Sequence, residues 1–153
     1  MANTYTQLYL QIVFAVKGRR SLIPKEYKWQ IHNYIHGIIN KRGHTMIAIH
    51  CMPDHIHILL SYNLNQKISD LVKEIKVASN KYINQQRWVR SKFDWQNGFG
   101  AFTYSKSHID NVKKYILNQE SHHKQVKFKT EYKSFLEKYD IEYDEKYLFE
   151  FYD

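Results

Sequence analysis

Cysteine, proline and glycine are all scarce in this chain. Its 153 residues hold one cysteine, two prolines and five glycines. A lone Cys51 closes no internal disulfide, which excludes a disulfide-stapled scaffold and fits a reducing compartment. Between Ile49 and Met52 it reads as packing at a buried strand end. With so little cysteine and no second His/Cys cluster, a structural zinc protein or a metal store is not indicated. No apolar run approaches the roughly 20 residues that a membrane span needs. Met1-Ala2-Asn3-Thr4 lacks a basic region followed by an apolar stretch, so no secretory signal is expected, and the cytoplasm is the expected location. Repeats and low-complexity tracts are missing too. The length suits one domain, 1–153, around one core.

Positive charge and aromatic rings are plentiful. Lys and Arg number 23 against 15 Asp and Glu, for a formal net charge of +8, and there are 13 Tyr and 8 Phe. Such a domain attracts polyanions over several ångströms, and nucleic acid is the commonest of these. An anionic membrane surface is the rival partner, and excess charge also serves solubility alone.

The few glycines and prolines punctuate a readable order of elements. Residues 5–16 alternate Leu8, Leu10, Ile12 and Phe14 with Tyr9, Gln11, Val13 and Ala15, which predicts a strand. Pro24 stands near the start of a helix carrying Trp29, Ile31, Ile35, Ile38 and Ile39 to about Lys41, with Gly43 as its stop. Residues 44–52 and 55–62 read as a hairpin turned at Pro53-Asp54. A long helix follows over about 67–89, then a loop and a fourth strand at 98–104. Ser107 reads as the N-cap of a helix over about 108–122, with Asp110 completing a loose capping box. A last helix and a tail occupy about 130–153. Strand–helix–strand–strand–helix–strand is the split βαβ order, so the expected class is α+β, ferredoxin-like (RRM-like). It predicts a four-stranded antiparallel sheet with two helices on one face, an open second face, and a further C-terminal helix.

His55-Ile56-His57 is the most informative triplet. Alternation on a strand turns both imidazoles to one face and Ile56, Ile58 and Leu60 to the other. The isoleucines suit the helix-covered core, which leaves the histidines on the open face. Two imidazoles side by side suit a divalent metal with positions left for substrate oxygen. The plainer reading is two half-exposed histidines, and charge and sheet geometry do not decide between them. The 108–122 helix offers further candidates. Tyr115 and Gln119, four apart, share one helical face beside Ile109, Val112 and Ile116. An amide oxygen is a suitable hard ligand, and a phenol oxygen is a competent nucleophile toward a polarised phosphate. On spacing alone Tyr115 also reads as an ordinary half-buried helix residue and Gln119 as solvated surface.

Met52-Pro53-Asp54-His55-Ile56-His57 resembles the HUH signature of single-tyrosine transposases of the insertion-sequence-200/605 type. Trp95-Gln96-Asn97-Gly98-Phe99-Gly100-Ala101-Phe102 is similar to that family's following strand motif, and Val112 to Gln119 resembles its catalytic helix. His122-His123 and the stretch from Phe128 to Phe135 are similar to the segment after it. Tyr104 departs from the pattern, where a smaller residue is expected. The resemblance implies an enzyme that cleaves and rejoins single-stranded DNA at hairpin-bearing ends of a mobile element. It implies Mg²⁺ or Mn²⁺ held by His55, His57 and Gln119, and Tyr115 joined transiently to a 5′ phosphate. It also implies a homodimer in which the tyrosine helix can be exchanged, with 105–108 as the hinge.

Lys73, Lys76 and Lys81 on the long helix, and Arg87 and Arg90 around Trp88 at its end, combine charge with a stacking ring, as a flexible strand requires. A solvated helix face reads equally well for any one of them. Lys113 and Lys114 precede Tyr115, where they are expected to steady phosphate charge or lower the phenol's pKa. Two alternatives remain: a domesticated relative that processes repeated hairpins in a chromosome, and a non-catalytic single-stranded nucleic-acid binder built on an RRM-like sheet. The second would display aromatics on its central strands, where this chain places His55 and His57.

Overall fold

A computed structural model describes residues 3–152. Strands β1 (Tyr9–Ala15), β2 (Thr45–Cys51), β3 (His55–Ser61) and β4 (Gly100–Tyr104) form one antiparallel sheet in the order β2-β3-β1-β4. Helices α1 (Lys28–Lys41) and α2 (Ile68–Gln86) lie between the strands in sequence. Then come α3 (Ile109–Leu117), α4 (Gln119–His123) and α5 (Phe128–Lys138). The ferredoxin-like order expected from the sequence is the one observed.

Strand alternation sorts the side chains. Leu10, Ile12 and Phe14 of β1 join Ile56, Ile58 and Leu60 of β3, with Ile31, Ile35 and Ile39 of α1 and Leu71, Val72 and Ile75 of α2. Burying each of these large apolar side chains is worth about 1.5–3 kcal/mol. A bulge between Met46 and Ala48 resets the alternation of β2 so that Ile49 and Cys51 reach this core. Gly43, at φ +81, lets the chain leave α1; a Cβ there would meet the Asn63 side chain at 2.9 Å.

The second face of the sheet is not open. α3 lays Ile109 and Ile116 against Ala48 and Leu59, and α5 packs Phe135 on Phe102 with ring centroids 5.1 Å apart. Apolar residues on both faces explain why Ile12, Val13, Phe14, Ala15 and Val16 form one uninterrupted buried run. That run is what an open-faced strand would lack.

The tryptophan–glutamine motif before β4 ties into both layers, Trp95 into the core under α2 and Gln96 to the tail that packs on α5. The Trp95 indole N–H donates to Ser79 Oγ at 2.9 Å, and its ring meets Phe14 edge-on at 4.7 Å. The Gln96 amide donates to Val16 and Glu150 carbonyls, both at 2.9 Å, and accepts from the Glu150 N–H at 2.7 Å. The tail so anchored sets Phe149 against Phe128 and Tyr132 of α5.

Three local expectations are corrected. Ser107 is not an N-cap: its hydroxyl pairs with Ser105 Oγ, and α3 starts after His108 with no side-chain cap. The 108–122 helix is broken at Asn118, whose φ of −100° and ψ of 20° end α3 before Gln119 begins α4. The long second helix stops at Gln86 because Arg87 turns left-handed, at φ 57°.

Candidate active site

Strand β3 presents His55 and His57 on the face covered by α3, α4 and α5. Both rings are buried, 1% and 0% exposed, which removes the half-exposed reading. Their centroids are 5.1 Å apart. Each Nδ1 is held by a side-chain acceptor within the same chain. His55 Nδ1 pairs with Asp54 Oδ1 at 2.7 Å, and His57 Nδ1 with Gln11 Oε1 at 2.6 Å. The Gln11 amide is oriented in turn by donating to the Tyr104 hydroxyl at 2.7 Å. His55 also stacks flat on Phe128 at 3.8 Å. Both rings therefore turn their Nε2 atoms inward with Nδ1 carrying the proton.

The break at Asn118 does not separate Tyr115 from Gln119. Gln119 is fully buried, with Oε1 3.4 Å from His55 Nε2. The Tyr115 ring meets His57 at 6.2 Å. All four residues singled out from the sequence thus converge within one chain.

Two residues to which the sequence assigned no role, Glu131 and His123, stand among them. Glu131 of α5 is 4% exposed. Its Oε1 lies 3.0 Å from His57 Nε2, 3.2 Å from His123 Nε2 and 3.7 Å from His55 Nε2. Its Oε2 accepts from the Tyr115 hydroxyl and, at 3.1 Å, from the Gln119 amide. His123 adds a contact of 2.8 Å to Gln119 Oε1, and His122 Nε2 stands 3.1 Å from the Tyr115 hydroxyl. Ligand atoms of His55, His57, His123 and Glu131 all lie within 4.8 Å of one another. A signal for Glu131 existed: it shares the stripe of Phe128, Tyr132 and Phe135, an unusual place for a carboxylate.

The electrostatics favour a cation here. Burial lowers the pKa of His57 more than Glu131 raises it, so the ring is neutral. With Nδ1–H given to Gln11, its Nε2 lone pair then faces a carboxylate oxygen. Lone pair against carboxylate repels unless positive charge lies between them. Burial works to raise the Glu131 carboxyl, but the imidazoles around it, those of His57 and His123 above all, hold it well below the usual range. Imidazole nitrogens, a carboxylate and an amide oxygen are a donor set that fits Mn²⁺ or Mg²⁺. The Tyr115 phenol is pushed up, first by burial and then by the Glu131 charge. The lowering expected from Lys113 and Lys114 is not found.

A cavity of about 490 Å³ opens beside Tyr115, lined by Tyr104, Asn111, Glu131, Phe135 and Lys138 among others. A second, of about 380 Å³, also borders Tyr115 and is lined by Lys114, Asn118, Ser121 and Gln125. Lys113 is exposed on the same helix. The other basic candidates are elsewhere. Lys76, Lys81, Arg87 and Arg90 belong to α2 or the turn after it, across the sheet from the histidines. Lys81, Arg87 and Arg90 are exposed, but the Lys76 ammonium donates to the Gln96 and Gly98 carbonyls at 2.8 and 2.6 Å. Trp88 is stacked on Tyr27 at 4.5 Å, so that ring is already covered.

Residues 4–119 match the protein family described as "Transposase IS200 like". The ISDra2 transposase TnpA of Deinococcus radiodurans is 28% identical over 120 residues, which cover 74% of this chain and 84% of that protein. A crystal structure of a proposed transposase from D. radiodurans R1 aligns with a TM-score of 0.58 at 24% identity, covering 78% of this chain and 95% of that one. A REP-associated tyrosine transposase bound to a REP hairpin aligns at 0.56 with 16% identity, covering 82% and 74%. At those identities the two structures report a shared fold. Among the described residues, no helix is long and apolar enough to cross a membrane.

Proposed function

This chain belongs to the IS200-like transposase family, and from that premise we propose that it cleaves and rejoins single-stranded DNA at hairpin-bearing ends of a mobile element, with Tyr115 as nucleophile. One observation carries the reading: a phenol, two inward-facing imidazoles and an amide oxygen meet in one chain, next to two cavities that the phenol lines.

His55, His57 and Gln119 would hold Mg²⁺ or Mn²⁺, which when bound draws charge from a phosphate oxygen. The chain's own residues do the rest. Asp54 and Gln11 fix the imidazole tautomers. The strand lies across Tyr115 from one cavity to the other, with Lys113 and Lys114 near its phosphates. The Tyr115 oxygen attacks the scissile phosphorus. A Tyr115 O–P bond forms, the P–O3′ bond breaks, and the 3′ oxygen leaves as a hydroxyl after taking up a proton. The phenolic proton passes to an acceptor at hand, Glu131 Oε2 or His122 Nε2. Attack by a 3′ hydroxyl on the phosphotyrosine reverses these changes on another strand. The linkage energy is kept throughout, so no nucleotide cofactor is consumed. Because the groups meet within one chain, a homodimer with exchange of α3 is compatible with the site without being needed to complete it.

Labelled single-stranded hairpin DNA incubated with the protein and Mg²⁺ is expected to give a covalent adduct on a denaturing gel. Chelation of the metal should remove it. Tight binding of the DNA with no adduct under Mg²⁺ or Mn²⁺ would support the non-catalytic binder instead.

A further inference from the structure

The segment that matches the family ends at Gln119, twelve residues short of the buried carboxylate at the centre of this site. We propose that Glu131 is an additional protein ligand of the metal and the residue that positions Tyr115. This rests on the reading above and deepens it.

Burying a carboxylate is costly unless its oxygens are matched. On α5 the inward stripe that holds Glu131 is otherwise apolar: Phe128 and Tyr132 are buried and Phe135 is partly buried. The sequence has nonetheless placed an acid there, and its two oxygens face different groups. Oε1 faces the Nε2 atoms of His57, His123 and His55 at 3.0, 3.2 and 3.7 Å. Oε2 takes the Tyr115 hydroxyl and the Gln119 amide. With His55 and His57 each giving Nδ1–H away, only His123 has a proton to offer Oε1. Two lone pairs and an anionic oxygen are left turned toward a common point. His55, His57 and Gln119 alone form a neutral donor set; Glu131 supplies the negative charge that a hard divalent ion favours. Through its second oxygen the same side chain fixes where the nucleophile stands relative to that ion. Glu131 is thus the link between the metal donors of β3 and the phenol of α3.

The test is Mn²⁺ binding to the full chain without DNA, read from the loss of the free-ion EPR signal. Glu131→Gln keeps the shape and an oxygen for the Tyr115 hydroxyl but removes the charge. It is expected to weaken Mn²⁺ binding by at least about tenfold, the scale seen when groups around a metal are altered. Tyr115→Phe removes one hydrogen bond to Oε2 and no charge, so it should weaken Mn²⁺ binding less than Glu131→Gln does. Glu131→Asp guards against a folding defect. It keeps the charge on a shorter arm, and the visible spectrum of its Co²⁺ complex should shift from that of wild type. Should Glu131→Gln bind Mn²⁺ as tightly as wild type while His57→Ala loses it, the proposal is overturned and the transposase reading stands. An unchanged Co²⁺ spectrum in Glu131→Asp overturns it as well. If wild type takes up no Mn²⁺ and forms no DNA adduct, the underlying reading fails and this one with it.

Discussion

Gln11 accepts the Nδ1–H of His57 at 2.6 Å, reaching from one central strand to the other. The contact depends on the β1–β3 register, which pairs Gln11 with Leu59 and Val13 with His57 and so places both side chains on the same face. It decides which nitrogen of His57 is left to bind.

Removing that acceptor should therefore weaken metal binding without touching a ligand. Gln11→Leu and Asp54→Ala are each expected to lower Mn²⁺ affinity by about 10–100-fold. Calorimetric titration checks this. Affinities equal to wild type in both variants would show that the tautomers are set by something else.

Gly100 is the second glycine of the motif around β4, and its place has a steric reason. A Cβ there would lie 2.8 Å from the Tyr132 hydroxyl, 2.9 Å from Tyr132 Cε1 and 3.0 Å from Phe102 Cε2. Tyr132 is the neighbour of Glu131, so a shift of α5 moves the carboxylate. Gly100→Ala should destabilise the fold by about 1–3 kcal/mol, as overpacking does. Mn²⁺ affinity should fall with it. Urea unfolding of the metal-free protein measures the first effect, and unchanged stability would mean that α5 yields freely.

How much of this was legible in the sequence follows from the range of each interaction. Alternation along β1 and β3 is local, so the faces of Gln11, His55 and His57 were readable, as was the order of the strands. Tyr115 and Gln119 were readable because four residues is one helical turn. Glu131 and His123 were not, since no spacing relates them to β3; the fold of α5 back across the sheet does. That return also covers the face expected to be open. Its trace lay in the unbroken apolar run from Ile12 to Val16, which an alternating strand with one solvated face would not show. The capping role given to Ser107 failed for a local reason: its hydroxyl had a nearer partner in Ser105.

Lys113 and Lys114 are exposed on the helix that carries Tyr115, and Lys114 lines the cavity beside it. Lys114→Ala should slow adduct formation at low salt and lose most of that difference at high salt. For single strands each phosphate contact removed lowers the salt slope by about 0.7. Equal rates for variant and wild type at low salt would rule out the contact. Lys76→Ala should act differently, through loss of its carbonyl contacts to the 96–98 turn, and reduce stability at any salt concentration.

The pH dependence of stability should show His32. Burial, then the charges of His50 and Lys28, lowers its pKa from 6.5 to about 4. Its Nε2 accepts the Cys51 N–H at 2.8 Å, a bond that protonation would break. The unfolded chain binds a proton at this residue below about pH 6.5 and the folded chain does not until about pH 4. Stability from this group is thus complete above pH 6.5 and is lost progressively as pH falls toward 4. His32→Gln should flatten the slope of unfolding free energy between those values. An identical slope in the variant would show that other groups carry it.

The most direct test is to find which tyrosine holds the DNA. Adduct formed with Mg²⁺ and single-stranded hairpin DNA, digested and sequenced by mass spectrometry, should place the nucleotide on Tyr115, and Tyr104→Phe should still form it. A nucleotide found on Tyr104, or an adduct that survives Tyr115→Phe, would contradict the account.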